Sequence, residues 1–327
     1  MNDITRILTL LLAMMCLGAT ARDHVNSRWQ RTLLETIDTF PKRGGYYTGG
    51  KPNETFSRTT WQGLNEAFTM SQGDTRPTVD LNKATPSFCS SATYCALVAA
   101  LLRWDAGGEI SAQAWRNMMP RVGLVSEVNP EAIGQNDGVG FWGRCNANGP
   151  ALAVLVNELG AGFSFTAFRG AKTDSAKESP DEPYLTDDQW RCHPVWRRAM
   201  PGDLMKIFWN RNESHRHDGG AVIGDDGNPG HRQEAGHSVI FLGLSTDGKI
   251  VYWSSNGPGK DPKHMGYSVS SCDPVAIQRV VFTRITRPER FDRVKDIAPT
   301  DTCRYLYELN GIRHSTTAEL LRECGIK

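Results

Sequence analysis

Along the first half of the chain apolar positions recur at helical spacing. In the last third they gather into short runs bounded by Gly, Pro, Asp and Asn. Residues 29–39 allow a helix, and Trp61, Leu64, Ala67 and Phe68 predict another over 61–70. Between them Tyr46-Tyr47-Thr48, flanked by paired glycines, reads as a short aromatic strand. The clearest helix opens at Thr85-Pro86-Ser87 and runs to about Trp104, with Pro86 suited to the first turn and Thr85 or Ser87 to cap its free N–H groups. Two more are predicted over 111–119 and 150–159. The runs 203–209, 236–244, 248–255 and 275–285 read as antiparallel strands. Residues 170–188 and the Gly/His/Asp-rich stretch 210–235 read as loops. Helices first and strands later argue an α+β fold and not alternating βαβ units. No glycine-rich phosphate loop follows a strand.

With 327 residues the chain is long enough for one large domain or two modest ones. Its 37 Lys and Arg against 36 Asp and Glu show no basic excess for nucleic acid. A hydrophobic content of 39% and a mean hydropathy of −0.43 exclude a membrane-spanning bundle, a collagen-like chain, a coiled coil and a largely disordered protein. Residues 1–21 have the three parts of a signal peptide: a short n-region with Arg6, an apolar stretch over 7–17 and the small-x-small site Ala19-Thr20-Ala21. The expected location is therefore periplasmic or secreted. Removing that segment leaves seven cysteines, Cys89, Cys95, Cys145, Cys192, Cys272, Cys303 and Cys324. In an oxidising compartment seven fits three disulfides and one thiol kept reduced, with Cys303–Cys324 expected to staple a short helical tail.

Cys89 is the thiol best placed for chemistry. At a helix N-terminus the partial positive charge favours a thiolate, and the unpaired N–H groups can hold an oxyanion. Cys95 shares an apolar stripe with Val98, Ala99 and Leu102 and reads as core or disulfide. His237 opens a strand on which His237, Val239 and Phe241 alternate with Ser238, Ile240 and Leu242. The Asp247-Gly248 turn then allows a hairpin that returns Ser254 and Asn256 towards the histidine. Asn256 is the first choice to orient the ring and Ser254 the second; a turn asparagine before Gly257 is the plain alternative. His215, His217, Asp218 and His231 crowd one stretch without a metal-site spacing, so they read as a solvated loop. Trp190-Arg191-Cys192-His193 with Trp196-Arg197-Arg198 could touch an anionic glycan, or could be a disulfide on an amphipathic helix.

Taken in order, the helix-start Cys89, the turn Met200-Pro201-Gly202-Asp203-Leu204, the strand Gly236-His237-Ser238-Val239 and the polar Asn256 resemble the NlpC-type and CHAP-type cell-wall peptidases and amidases of the papain-like superfamily. The resemblance covers roughly residues 85–256. Phe88 and Ser91 depart from the residues usual around that nucleophile, and Cys89 and His237 stand 148 residues apart. It implies a papain-like α+β fold, with N-terminal helices packed on a small antiparallel sheet. The implied layout is an N-terminal extension over 22–84, a cysteine-hydrolase domain over 85–285 with insertions near 105–199 and 210–235, and a disulfide-stapled helical tail over 286–327. It further implies hydrolysis of an amide bond in peptidoglycan, with Cys89 as nucleophile, His237 as base and Asn256 as orienting residue. That chemistry needs no metal or organic cofactor, and the expected partner is peptidoglycan or its peptides. Two other classes fit the same residues: a thiol acyltransferase or transglutaminase-like toxin, and a wall-binding protein without activity.

Overall fold

The computed structural model describes residues 28–49, 51–119, 151–169, 184–209, 236–257, 261–297 and Gly325. Its longest helix has neither Gly nor Pro within it and is apolar on nearly every side, so it forms as a core helix. This helix, α3 (Cys89–Trp104), is preceded by α1 (Arg28–Ile37) and α2 (Thr60–Ala67) and followed by α4 (Ala112–Met118) and α5 (Ala151–Leu159). Two short helices, α6 (Asp187–Arg191) and α7 (Pro194–Arg198), precede most of the strands.

A seven-stranded antiparallel sheet runs in the order β1-β8-β7-β6-β5-β9-β4. Its strands are β1 (Arg43–Gly44), β4 (Gly162–Phe168), β5 (Leu204–Trp209), β6 (Gly236–Leu244), β7 (Ile250–Asn256), β8 (Gly266–Cys272) and β9 (Ile277–Ile285). A separate ribbon pairs β2 (Phe68–Thr69) with β3 (Thr78–Val79). The molecule is thus α+β with an antiparallel sheet, as the order of periodicities predicts.

Strand alternation gives the sheet two buried faces. On one, Leu204, Ile240, Trp253 and Tyr267 pack against α3, Trp29 and Leu33 of α1, and Trp115 of α4. On the other, Met205, Ile207, Val239, Phe241 and Phe282 pack against Trp190 of α6 and Trp196 of α7. The sheet is therefore covered on both sides. Each large side chain fully withdrawn from water in these layers contributes about 1.5–3 kcal/mol.

Several expectations are corrected. The main helix begins at Cys89, not at Thr85, and neither Thr85 nor Ser87 caps it. Ser91 does: its Oγ accepts from the Phe88 N–H at 2.8 Å and donates to the Phe88 carbonyl at 2.7 Å. Ser87 instead hydrogen-bonds Ser255 at 2.8 Å, and Pro86 lies upstream of the helix after a cis peptide. The aromatic strand over Tyr46–Thr48 is only a single bridge, Tyr46 to Ser87. The second helix stops at Ala67, where Phe68 turns into β2. Strands β4 and β8 have no counterpart among the predicted elements, because Ser, Thr and Gly interrupt their apolar positions.

Cys89, Cys95, Cys192 and Cys272 are free thiols, so three disulfides cannot form from seven cysteines. Cys95 lies wholly buried on α3, where no second cysteine reaches it. Residues 286–297 hold a 3-10 segment (Pro288–Asp296), not an α-helix. The rest of the expected tail, the Cys303–Cys324 pairing, Cys145, the signal segment, the histidine-rich stretch 210–235 and most of the loop at 170–188 lie outside the described residues.

Candidate active site

Cys89 occupies the first helical position of α3, with Phe88 in an extended conformation before it. The first i→i−4 bond of the helix joins the Ala92 N–H to the Phe88 carbonyl, so the Cys89 N–H precedes the ladder. The side chain is partly exposed. Burial alone would raise its pKa, but a hydrogen bond and charge interaction with His237, the Lys206 ammonium and the Ser238 N–H outweigh it and bring the thiol down from 9 to about 6. Near neutrality the sulfur is an anion.

The histidine is held from its far side. His237 Nε2 meets Asn256 Oδ1 at 2.9 Å. The asparagine amide is itself oriented, because its Nδ2 donates to the Ser268 carbonyl at 2.9 Å and to Ser268 Oγ at 3.0 Å. Ser268 Oγ spends its own proton on the Gly266 carbonyl at 3.1 Å, so it can only accept from Asn256. Oδ1 is therefore the atom turned to the ring, Nε2 carries the proton, and Nδ1 is left to exchange one with Cys89. Tyr252, edge-on at 5.6 Å, and Trp209, stacked at 6.2 Å, confine the imidazole plane. Ser254, the second choice, is committed elsewhere: its hydroxyl donates to the Ser238 carbonyl at 2.7 Å.

The strands make this meeting possible by parting. The ladder between β6 and β7 runs from Ile240↔Trp253 to Leu244↔Ile250, interrupted by a bulge near Gly243, and leaves 236–239 outside its register, joined to β7 through the side chains of Ser254 and Asn256. Helix α3 packs on the Ile240 face of the sheet, whereas alternation sends His237 to the opposite face. Only at this open end can the start of α3 reach the histidine, with Ser87 bonded to Ser255 of β7 and Cys89 bonded to the Ser238 N–H of β6. Sequence alternation alone does not reveal that opening.

A tight turn sets the approach of β5. Gly202 has φ +89°, a conformation glycine adopts without strain, and its N–H donates to the Phe241 carbonyl at 2.9 Å. Asp203 accepts from the Met200 N–H at 2.8 Å, and its two oxygens accept from Arg284 Nε and Nη2 at 2.8 and 2.7 Å. The Pro-Gly-Asp-Leu segment is thus a structural corner that anchors β5 beside β6 and β9.

Two residues at the site carry no local sequence signal. Lys206 faces Cys89 from β5. Tyr46 faces it from the segment after β1, where burial and then the Cys89 charge hold its phenol protonated far above the usual range. Its ring lies against Gly257, where a Cβ would come within 2.4 Å of Tyr46 Cγ. The Gly after Asn256 is the one hint available in the sequence, and it reads equally well as a turn.

The aromatic and basic cluster resolves into structure. Trp190 and Trp196 are buried in the second core layer, Arg191 pairs with Asp273 at 3.0 Å, and Cys192 is an exposed free thiol. The arrangement at Cys89 can therefore carry out nucleophilic attack, proton return through one imidazole and oxyanion stabilisation at a helix start. Compared with known protein families, with curated proteins and with solved structures, the chain finds no match.

Proposed function

We propose that this protein is an exported, papain-like thiol hydrolase that cleaves an amide bond of peptidoglycan, either within the stem peptide or between glycan and peptide. The observation that carries the reading is the continuous chain of contacts Cys89–His237–Asn256–Ser268, with the thiol depressed to about 6. The thiolate attacks the amide carbonyl, forming a C–S bond while the π electrons move to oxygen, where the Cys89 N–H can donate. His237, protonated at Nδ1, returns a proton to the leaving amine as the C–N bond breaks. The ring then takes a proton from water, whose oxygen displaces the sulfur from the thioester. Asn256 keeps Nε2 the donor throughout. The substrate class is supported by the order of motifs, which resembles the cell-wall peptidases, and by the signal-like N-terminus.

The test is digestion of purified sacculi by the reduced protein and by Cys89→Ala, with products identified by mass spectrometry. Fragments bearing a new amine and a new carboxylate, absent with Cys89→Ala, are the expected result. Products joined to an added amine would replace hydrolysis by transfer. Intact sacculi with folded, alkylatable protein would overturn the substrate assignment.

A further inference from the structure

Lys206 stands opposite Ser238 in the β5–β6 pairing, on the sheet face that meets α3. The sulfur of Cys89 therefore has the imidazole of His237 towards one face of the sheet and the ammonium of Lys206 towards the other. Lys206 is only 9% exposed. Its side chain runs directly over Gly236, where an added Cβ would lie 2.8 Å from Cε and 3.0 Å from Nζ. The ammonium donates to Ser238 Oγ at 3.4 Å, and the backbone N–H of that same serine donates to Cys89. The ammonium and the sulfur are close enough for the lysine charge to favour a thiolate at Cys89.

Among the described residues, the titratable groups that face Cys89 are His237 of β6, Lys206 of β5 and Tyr46 of the segment after β1; α3 adds the positive end of its dipole. Tyr46 stays neutral and His237 must cycle its proton during catalysis. Lys206 is the cation that need not change. We propose that Lys206 is a positioning residue of this site, its ammonium seated by the bare backbone of Gly236 where it stabilises negative charge on the Cys89 sulfur from the side opposite His237. The glycine before the histidine then has a purpose beyond opening the strand: it is the floor on which the lysine lies.

The inference rests on Cys89 being the reactive thiol of the proposed hydrolase, but its test needs no substrate. The rate of Cys89 alkylation by iodoacetamide is measured on the full chain across pH 4.5 to 9 and read by peptide mass spectrometry. The wild-type midpoint is expected near 6, where the thiol titrates. Lys206→Met raises it by about one pH unit, so alkylation at pH 5 slows roughly tenfold while the rate at pH 9 is retained. Lys206→Arg, which keeps the charge, recovers most of the lost rate. Gly236→Ala moves the midpoint in the same direction as Lys206→Met although the lysine remains. Lys206→Gln carries the same expectation should the methionine variant not fold. A folded Lys206→Met or Lys206→Gln with an unmoved midpoint overturns the proposal. Sacculi left intact by a protein that shows these shifts would remove the hydrolase and keep this role for Lys206; digestion with a midpoint indifferent to residue 206 would do the reverse.

Discussion

Asn256 decides which nitrogen of His237 holds the proton, and Ser268 decides which end of Asn256 faces the ring. For the proposed hydrolase, Asn256→Ala is therefore expected to lower kcat on peptidoglycan fragments roughly hundredfold or more, as loss of the orienting group in such sites does. Ser254→Ala removes only a hydroxyl bonded to the Ser238 carbonyl and is expected to cost about 1 kcal/mol in urea unfolding, with a far smaller effect on kcat. The paired kinetics decide between these two polar residues of β7: equal losses in kcat would mean that the ring is held some other way. At this scale the sequence was informative about Cys89 and His237, since a helix start and a strand start are local features. Lys206 and Tyr46 were not legible, because each reaches the sulfur through a neighbour, Gly236 or Gly257, contributed by a different strand or its end.

At the scale of elements, apolar runs long enough to dominate their neighbours were readable and mixed ones were not. Helix α3 is almost continuously buried from 90 to 101, and its existence follows from composition. Its start does not, because the cap is Ser91, a residue inside the helix reaching back, while the serine outside serves β7. Strand β8, read Gly-Tyr-Ser-Val-Ser-Ser-Cys, looks like a loop until β7 supplies its ladder. The corner at Asp203 is a stronger determinant than its short motif suggests. Asp203 is fully buried and Arg284 only partly exposed, and removing one partner of such a pair leaves the other without its counter-charge. Asp203→Ala is expected to destabilise the fold by about 3–5 kcal/mol, whereas a loss below 1 kcal/mol in urea unfolding would show that the turn does not depend on the pair.

For the whole molecule, the thiol couples reactivity to stability. Its pKa is 9 in an ordinary setting and about 6 in the fold, so ionised Cys89 stabilises the native state. That contribution is fully present above pH 9 and is lost as pH falls through 6. The stability of the reduced protein relative to Cys89→Ala should accordingly grow between pH 6 and pH 9; a difference that stays flat or shrinks would contradict the depressed thiol. The two faces of the sheet matter here as well, since α3 and the tryptophans of α6 and α7 clamp β5 and β6 from opposite sides and fix the distance across which the charges act.

The parted end of β6 and β7 has a consequence in time as well as in space. The sulfur and the imidazole lie 148 residues apart in the chain and touch only where one helix start enters the opening between two strands. An unfolded chain, before that contact forms, holds its thiol and its imidazole with no reason to meet. Assembly of the sheet and its main helix is thus the arming step: the thiol gains its low pKa only when the helix start and the strand end meet.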